Sequence, residues 1–497
     1  MSRRMFFKGI VIATAGVAAA CAPGNGPIRG QETPQGADAE PRPLPIPPLY
    51  TGELDGDTRS FELTAQKGQF EILPGTTTDT WGFNGAWLGP TLYMRRGEKI
   101  NMTVHNEVDE PTVVHWHGVH LPAAADGGPA LAFNPGESWN PTWTVDQPAS
   151  TCWYHPHTHG VSALHAYRGL AGGLVIADEA ADNAGLPSDY GVDDIPVIIT
   201  DAKFDGDNLD ETIDPTYGLL GNTPVINGIT KPFFQAERNV VRLRIVNGAT
   251  MRLHNLSLGI PMHVVGTDQG LLDAPIEVDS ILLTPGERVE VLVDLAANET
   301  FTLRSIGVPN NGGLQEGEIA DGFGLNERFD LLELRGPAEV TDPSGITVNQ
   351  LVAMDTLDPA GAVEREFRLN GFQINEQSMD LNRVDFVVEK PGPEVWTVTN
   401  ENADWPHNFH IHNARFQVLG IDGGELAFTA GWHDTIDIPP LSTVKLLVDI
   451  GFYPDPTHAY MYHCHMLFHE DSGMMGQYVV AEPGQTVELK QPGEHGH

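Results

Sequence analysis

Apolar residues in this chain occur in short runs that alternate with polar residues, and long helical periods are nearly absent. Examples are KINMTVHN (99–106), VVRLRIVN (240–247), RVEVLVDL (288–295) and EVWTVTN (394–400). Glycine, proline, asparagine and aspartate separate the runs, as they do at turns between strands. The pattern predicts an all-β chain made of antiparallel β-sandwiches.

An internal repeat divides the chain into three parts. The segments 98–121, 237–266 and 392–420 each contain a strand that ends in asparagine, a loop, and a second strand that carries histidine. The closing segments 152–178 and 461–482 also match each other and are rich in histidine. The corresponding stretch of the middle copy, PGERVEVLVDLAANETFTLRSIG, contains no histidine. We therefore predict three consecutive domains of one plan, with metal ligands in the first and third only.

The composition of the first 48 residues predicts an export signal and a linker before these domains. MSRRMFFKGIVIATAGVAAAC resembles a twin-arginine signal, and its apolar run is too short to span a membrane comfortably. Cys21 ends this segment, and both lipid attachment there and plain cleavage after Ala20 remain open. We expect a location in the periplasm or on the outer face of the cell membrane. The predicted organisation is a signal (1–21), a disordered Pro/Gly-rich tether (22–48), three domains (49–180, 190–336 and 350–485) and a polar tail (486–497).

The net charge of −39 excludes some classes of partner. A chain this acidic is not expected to bind nucleic acid, nor to attach to anionic lipid through its charge. We expect a monomer.

Four histidine clusters contain the candidate metal ligands: HWH, HPH, HNFHIH and HCH. Residues i and i+2 of a strand point to the same face, so each H-x-H presents two imidazoles side by side. If the first and third domains pack together, eight imidazoles surround one cavity. That number exceeds what a single zinc ion needs and favours copper. The eight residues are His115, His117, His155, His157, His410, His412, His463 and His465.

A second centre is predicted from MYHCHMLFHEDSGMM (461–475). Cys464 lies between His463 and His465, so its thiolate points to the opposite face of the strand. On that face it can meet three further donors, His407, His469 and Met474. Two histidines, a cysteine and a weak axial methionine form the blue-copper arrangement for electron transfer, whereas methionine is not a usual ligand of structural zinc. A disulfide to Cys152 would consume this ligand and is not expected.

These motifs, in this order and spacing, resemble those of the three-domain multicopper oxidases: laccases, copper-efflux oxidases, spore-coat laccases and bilirubin oxidases. The resemblance covers about Pro48 to Pro483 and implies three cupredoxin-like Greek-key β-sandwich domains with four copper ions. It assigns type 1 copper to His407, Cys464, His469 and Met474, type 2 copper to His115 and His410, and the type 3 pair to His117, His155 and His465 on one ion and His157, His412 and His463 on the other. One departure is that proline precedes His407, whereas the family usually has H-P-x-H-x-H.

The resemblance also implies a reaction. Single electrons from a reducing donor would enter at the type 1 site and pass through Cys464 to the three other coppers, where O₂ is reduced to water. Asp126 and Glu470 are the candidates for proton delivery. Phenols or similar donors are expected, with cuprous or other metal ions as the alternative.

Three functions other than copper-dependent oxidation are alternatives. A periplasmic copper-binding protein without turnover stays open. Scaffold relatives of this fold lack the copper ligands, whereas this chain keeps all twelve. A two-domain nitrite reductase is disfavoured by the three repeats.

Overall fold

The computed structural model describes residues 39–490 except Glu425 and Ala427. The predicted export signal, Cys21, most of the predicted tether and the last seven residues of the predicted tail lie outside these residues.

Short strands account for most of the regular structure. The first group comprises β1 (Arg42–Pro43), β2 (Leu49–Tyr50), β3 (Glu53–Asp55), β4 (Thr58–Phe70), β5 (Thr78–Phe83), β6 (Thr91–Arg95), β7 (Lys99–Asn106), β8 (Val114–His117), β9 (Ser138–Trp139), β10 (Thr142–Thr144), β11 (Ser150–Pro156) and β12 (Gly172–Ala177). The second comprises β13 (Asp194–Ala202), β14 (Phe204–Asp205), β15 (Asn208–Leu209), β16 (Thr223–Ile226), β17 (Pro232–Gln235), β18 (Val240–Asn247), β19 (His254–Ser257), β20 (Met262–Thr267), β21 (Gly270–Val278), β22 (Ile281–Leu283), β23 (Arg288–Asp294), β24 (Thr300–Ile306) and β25 (Phe329–Arg335). The third comprises β26 (Val363–Asn370), β27 (Gln373–Ile374), β28 (Phe386–Val388), β29 (Pro393–Asn400), β30 (His407–Ile411), β31 (Ala414–Asp422), β32 (Thr435–Ile438), β33 (Thr443–Ile450), β34 (Tyr460–His463) and β35 (Met475–Val480).

The helices are short. They are α1 (Ala123–Asp126), α2 (Ser162–Tyr167), α3 (Glu179–Asp182), α4 (Glu318–Gly322) and α5 (Leu467–Asp471), with 3₁₀ turns at Pro129–Leu131 and Pro309–Gly313. Within residues 39–490, no helix has the length and apolarity needed to cross a membrane.

The strands form three successive sandwiches of two sheets each. In the first, β10-β7-β4-β3, with β5 and β9 at its side, faces β2-β6-β12-β11-β8. In the second, β16-β13-β18-β23-β20-β21 faces β1-β17-β25-β24-β19-β22. In the third, β27-β26-β29-β33-β31 faces β28-β35-β34-β30-β32. Each sandwich encloses its own large apolar core. The prediction of an all-β chain of three β-sandwiches is confirmed, whereas the exact domain limits stay predictions.

The repeat seen in the sequence has a structural cause at three asparagines. The strands β7, β18 and β29 each have eight residues, pair in parallel with an earlier strand, and end at Asn106, Asn247 and Asn400. Each side-chain amide donates to two backbone carbonyls at 2.9 to 3.1 Å, and its oxygen accepts the N–H two residues later. These buried hydrogen bonds satisfy the polar groups of the loop backbone. They hold the loop in the conformation that leads into the next strand, which carries histidine.

The first and third domains contact each other through α2 and α5. The carboxylate of Asp471 in α5 accepts the backbone N–H groups of Ser162 and Ala163 at 2.9 Å each. These are the first residues of α2, whose N–H groups have no partner within the helix. The contact brings the histidine-rich end of each domain against the other, as the metal hypothesis requires.

The predicted disordered tether is wrong for its last residues. Arg42–Pro43 pairs in parallel with Pro232–Phe233 at the edge of a second-domain sheet. Leu44, only 7% exposed, lies in the core of that domain. Proline is tolerated in an edge strand because the missing N–H faces away from the partner. A Pro-rich composition was therefore compatible with an ordered extended strap, and the apolar residue between the prolines anchors it.

Candidate metal centre

One group of donors lies entirely within the third domain. His407 begins β30, Cys464 follows β34, and His469 lies in α5; none of the three is exposed to solvent. The two Nδ1 atoms are 3.2 Å apart, and Cys464 Sγ lies 3.7 Å from that of His407 and 3.5 Å from that of His469. The structure therefore brings together the two histidines and the cysteine that the sequence assigned to a blue-copper centre.

Met474 lies beside this group. The chain turns back after α5, so that the Cys464 N–H donates to the Met474 carbonyl at 3.2 Å and the Met474 N–H donates to the His469 carbonyl at 3.0 Å. The Met474 side chain is completely buried in the same apolar core as Cys464. The fourth predicted donor is thus held next to the other three.

The local structure of 461–475 differs from the continuous strand that the alternation predicted. The strand β34 ends at His463, and His469 is presented by the helix α5. Strand pairing stops because the N–H groups of His465 and Met466 donate to the Asn408 side chain at 2.5 and 3.2 Å. Cys464 nevertheless faces away from His463 and His465, as predicted: it lies with His407 and His469, whereas they lie with the other histidines.

The histidines of the first and third domains meet at the contact between these domains. In one group, the facing ring nitrogens of His117, His155 and His465 lie 3.1 to 3.4 Å apart. Beside it, His115 Nε2 lies 3.5 Å from His410 Nε2. All five side chains are buried, at 1% exposure or less.

A third group pairs histidines with carboxylates. His412 Nε2 lies 3.2 Å from His157 Nε2 and 3.1 Å from His463 Nε2. On the far side of the rings, His412 Nδ1 is 2.6 Å from Asp126, and the Nδ1 atoms of His157 and His463 are each 3.2 Å from Glu470. Only the contact of His412 with Asp126 is a hydrogen bond; His463 Nδ1 contacts the Cys464 carbonyl at 3.1 Å, and no hydrogen bond joins His157 Nδ1 to Glu470. The three Nε2 atoms face one space, and such a group of neutral imidazoles fits a metal ion.

Burial keeps the donors in the form that binds metal. It lowers the pKa of His155 and His407 to about 3 each. Burial is also the largest cause that places the pKa of seven others well below the ordinary histidine value: His115, His117, His157, His412, His463, His465 and His469. These imidazoles are neutral at physiological pH, and neutral imidazole is a copper ligand.

The pKa values of the acidic groups shift in the opposite direction, upward. Burial raises the pKa of Asp126 and Glu470 well above the carboxyl range, and the neighbouring Asp471 raises that of Glu470 further. Burial also raises the pKa of the Cys464 thiol to about 12, although the backbone N–H groups of Asn408 and Met466 act to lower it. A metal ion that binds this thiol would therefore displace its proton.

Asp434 contacts the histidine groups, although no sequence motif pointed to it. Its Oδ1 accepts from His117 Nε2 at 3.0 Å, which turns His117 Nδ1 toward His155 and His465. Burial would raise the pKa of Asp434, but the charge of Arg288 in the second domain outweighs it and leaves the pKa well below its usual range. No local motif signals these two residues, because they lie in different domains and meet only after folding.

Aromatic side chains surround the outer side of His469. Its ring centroid lies 5.3 Å from those of both Trp405 and Phe372, and Phe372 lies 5.5 Å from Phe468. His469 Nε2 is buried and has no hydrogen-bond partner within the described part of the chain. By contrast, His407 Nε2 donates to Asn402 at 3.0 Å. His469 is therefore buried beneath aromatic side chains that are themselves only partly buried.

Comparison with known proteins identifies the family. Profiles described as multicopper oxidase match residues 64–181, 220–320 and 349–484. The chain is similar to cell division protein FtsP of Xenorhabdus nematophila, at 33% identity over 90% of this chain and 94% of that protein. A multi-copper oxidase from Pediococcus acidilactici has a TM-score of 0.82 and 30% identity, covering 93% of this chain and 96% of the other. The chain belongs to the multicopper oxidase family.

A further multicopper oxidase structure, the laccase-like CueO from the lignin-degrading bacterium Ochrobactrum sp., has a TM-score of 0.78 and 33% identity over 88% of this chain and all of the other. That protein has oxidase activity towards lignin model compounds and lignosulfonate. These neighbours confirm the predicted cupredoxin-like domains and the resemblance drawn from the motifs. The family implies copper, O₂ and a reducing substrate; the assignment of individual ligands stays a prediction.

Proposed function

We propose that this multicopper oxidase is a laccase-like enzyme that couples one-electron oxidation of phenolic or similar donors to the reduction of O₂ to water. The observation that carries the proposal is the convergence of twelve donors, eleven of them in buried groups with facing donor atoms and Met474 beside Cys464. A protein that used the fold only as a scaffold would have no need to hold neutral imidazoles against one another.

Four copper ions would be held by separate sets of these residues. The proposed sets are His407, Cys464, His469 and Met474 for type 1; His115 and His410 for type 2; and His117, His155 and His465 with His157, His412 and His463 for the type 3 pair. Copper bound there would supply one-electron oxidation at the first set and four-electron reduction of O₂ at the others.

Two carboxyl groups of the chain are placed to hold protons for this reaction. Asp126 contacts His412, and Glu470 contacts both His157 and His463. Each is buried at 1% exposure or less, so each can retain a proton near neutral pH and release it toward the cluster.

The surroundings of His469 favour an aromatic donor. A phenol can stack on the partly exposed rings of Trp405 and Phe372, which contact the ring of His469. A metal-ion donor would need carboxylates at this entrance: Glu470 is buried, but the exposed Asp404 directly precedes Trp405. Oxidation of cuprous or other metal ions is therefore the alternative function.

An oxygen electrode with a phenolic dye tests the proposal. Copper-loaded protein should show a blue absorption band and consume O₂ when the dye is added, and Cys464→Ser should lose both while keeping its β-rich circular dichroism spectrum. Cys152→Ser is the matched control, because it removes the other buried free thiol and should keep band and turnover. A blue wild-type protein that consumes no O₂ with phenols or cuprous ion would refute an oxidase function.

A role in cell division is the second candidate, because the 33% identical relative from Xenorhabdus nematophila carries that name. Complementation separates the two functions. If a deletion strain divides abnormally and Cys464→Ser restores division as well as the wild type does, the division role needs no copper chemistry. Failure of the variant, with rescue by Cys152→Ser, would tie the phenotype to the metal centre.

We also propose that the chain is exported by a twin-arginine-type route, as its first 21 residues indicate. Lysine substitution of Arg3 and Arg4 should retain the protein in the cytoplasm, and cell fractionation would measure this. Radiolabelled palmitate would distinguish lipid attachment at Cys21 from cleavage after Ala20.

A further inference from the structure

Asn408 occupies the position where the family pattern H-P-x-H-x-H has proline, and its side chain is fully buried. Its Oδ1 accepts the backbone N–H groups of His465 at 2.5 Å and Met466 at 3.2 Å. Its Nδ2 donates to Thr284 Oγ1 at 3.0 Å and to the Pro285 carbonyl at 2.9 Å. All four hydrogen-bonding valences of the amide are used.

The hydrogen-bond partners of this amide lie in different domains. The acceptor end holds the backbone that follows Cys464, while the donor end holds a turn of the second domain. Cys464 Sγ itself lies 3.3 Å from Oδ1. A fully satisfied buried polar group is costly to displace, so it gives its neighbours one defined position.

The same turn of the second domain touches the histidine groups directly. At Gly286, with φ of 94°, an added Cβ would lie 3.0 Å from the His465 ring and 3.1 Å from the His117 ring. Only a residue without a side chain lets the turn approach this closely.

Arg288, at the end of the turn, makes a third contact with the site. Its guanidinium pairs with Asp434 at 2.6 Å, and Asp434 in turn accepts from His117. One short segment of the second domain therefore reaches both rings directly and, through Asn408, the backbone N–H groups that follow Cys464.

We propose that the turn 284–288 of the second domain is a clamp that holds the orientation of Cys464 and His465, with Asn408 as the positioning residue that joins the turn to the ligand segment. The second domain, which offers no predicted copper ligand, thereby controls the geometry of the electron path. This role rests on the proposed function, because it matters for turnover only if Cys464 and His465 hold copper.

Hydrogen exchange in the metal-free protein tests the clamp without any activity. Thr284→Val, which removes one hydrogen bond of about 1 kcal/mol, should raise the exchange rate of the peptide 461–475 by about threefold to tenfold, and Asn408→Leu, which removes four, should raise it more. The matched control is Asn239→Leu in the second domain. Asn239 is also buried and accepts two backbone N–H groups while donating to two oxygens, far from the site. Unchanged exchange in Thr284→Val, or an equal rise in the control, would overturn the clamp.

The copper-loaded protein gives the second readout. Asn408→Leu and Thr284→Val should shift the blue band and the type 1 reduction potential in the same direction, and Asn239→Leu should shift neither. If Asn408→Leu does not fold, Thr284→Val and Gly286→Ala carry the test from the second-domain side alone. A wild-type protein without O₂ uptake would refute the proposed function and leave the exchange result standing. Full uptake with unchanged band and exchange in Thr284→Val would refute the clamp alone.

Discussion

Replacing Arg288 by methionine should destabilise the protein more than removal of any exposed charge. Arg288 has no exposed side-chain surface, and all five of its N–H donors are used. It donates to the carbonyls of Thr151 at 3.0 Å, Gly286 at 3.1 Å and Asp268 at 2.9 Å, and to both oxygens of Asp434 at 2.6 Å each. These partners belong to all three domains.

The expected cost follows from what the substitution leaves behind. Methionine fills most of the volume but leaves Asp434 buried without its cation, and breaking a buried pair in this way costs about 3–5 kcal/mol. The exposed pair of Arg304 and Asp330 is also close, at 2.7 Å, but its side chains are 50% and 71% exposed. Arg304→Met should therefore lower the free energy of unfolding by no more than about 1 kcal/mol.

Urea unfolding of the metal-free protein, followed by tryptophan fluorescence, measures both costs. The double variant Arg288→Met/Asp434→Asn should recover part of the loss, because asparagine leaves no unpaired charge in the interior. If Arg288→Met costs no more than Arg304→Met, or the double variant is no more stable than the single one, the buried charge is not the reason for the loss.

Three further predictions follow from individual sites. Glu470→Gln should retain the blue band but slow O₂ consumption by about 10²- to 10⁴-fold if this carboxyl delivers protons, and an unchanged rate in the oxygen electrode would contradict that role. Burial raises the pKa of Glu290, but two arginines of β18 outweigh it and lower the pKa to about 2, from an ordinary value of 4.5. Its stabilisation is therefore complete above pH 4.5 and is lost as pH falls toward 2, so the urea midpoint should drop less over this window in Glu290→Gln than in the wild type. Gly127→Ala should destabilise more than Gly136→Ala in urea unfolding: both have φ of 82°, but a Cβ at Gly127 would lie 1.8 Å from the Val114 carbonyl oxygen, whereas nothing lies within 4 Å at Gly136.

The sequence predicted those parts of the site whose geometry follows from the local spacing of residues in a strand. Because i and i+2 share a strand face, the spacing of His115 and His117 on β8 was enough to predict two imidazoles on one side. The same rule predicted that Cys464 faces away from its neighbours. It failed beyond His463, where Asn408 accepts the N–H groups that a strand partner would otherwise take.

Other features depend on contacts between segments distant in sequence. Asp434 and Arg288 lie 146 positions apart, and neither stands in a recognisable motif. Asn408 was visible only as a departure from the family pattern, and its partners became evident only when the second domain was in place. The strap at Leu44 was missed because composition reports the flexibility of a free segment and not the core that one apolar residue can enter.

The metal centre also has an energetic consequence for choosing between the two proposed functions. Without a cation, the Nε2 atoms of His157 and His463 lie 3.2 and 3.1 Å from that of His412, and Glu470 is buried beside them. Such a group of buried polar atoms destabilises the fold relative to apolar residues of equal volume, which need no hydrogen-bond partners. A bound cation reverses this effect, because it stabilises the folded state by an amount that grows with the logarithm of its concentration over its dissociation constant. Metal loading should therefore raise the unfolding temperature of the wild type, and His157→Leu should raise that of the metal-free protein, because His157 Nδ1 has no hydrogen-bond partner within the described part of the chain. The second result is the decisive one: a purely structural role for these histidines would make His157→Leu destabilising without metal.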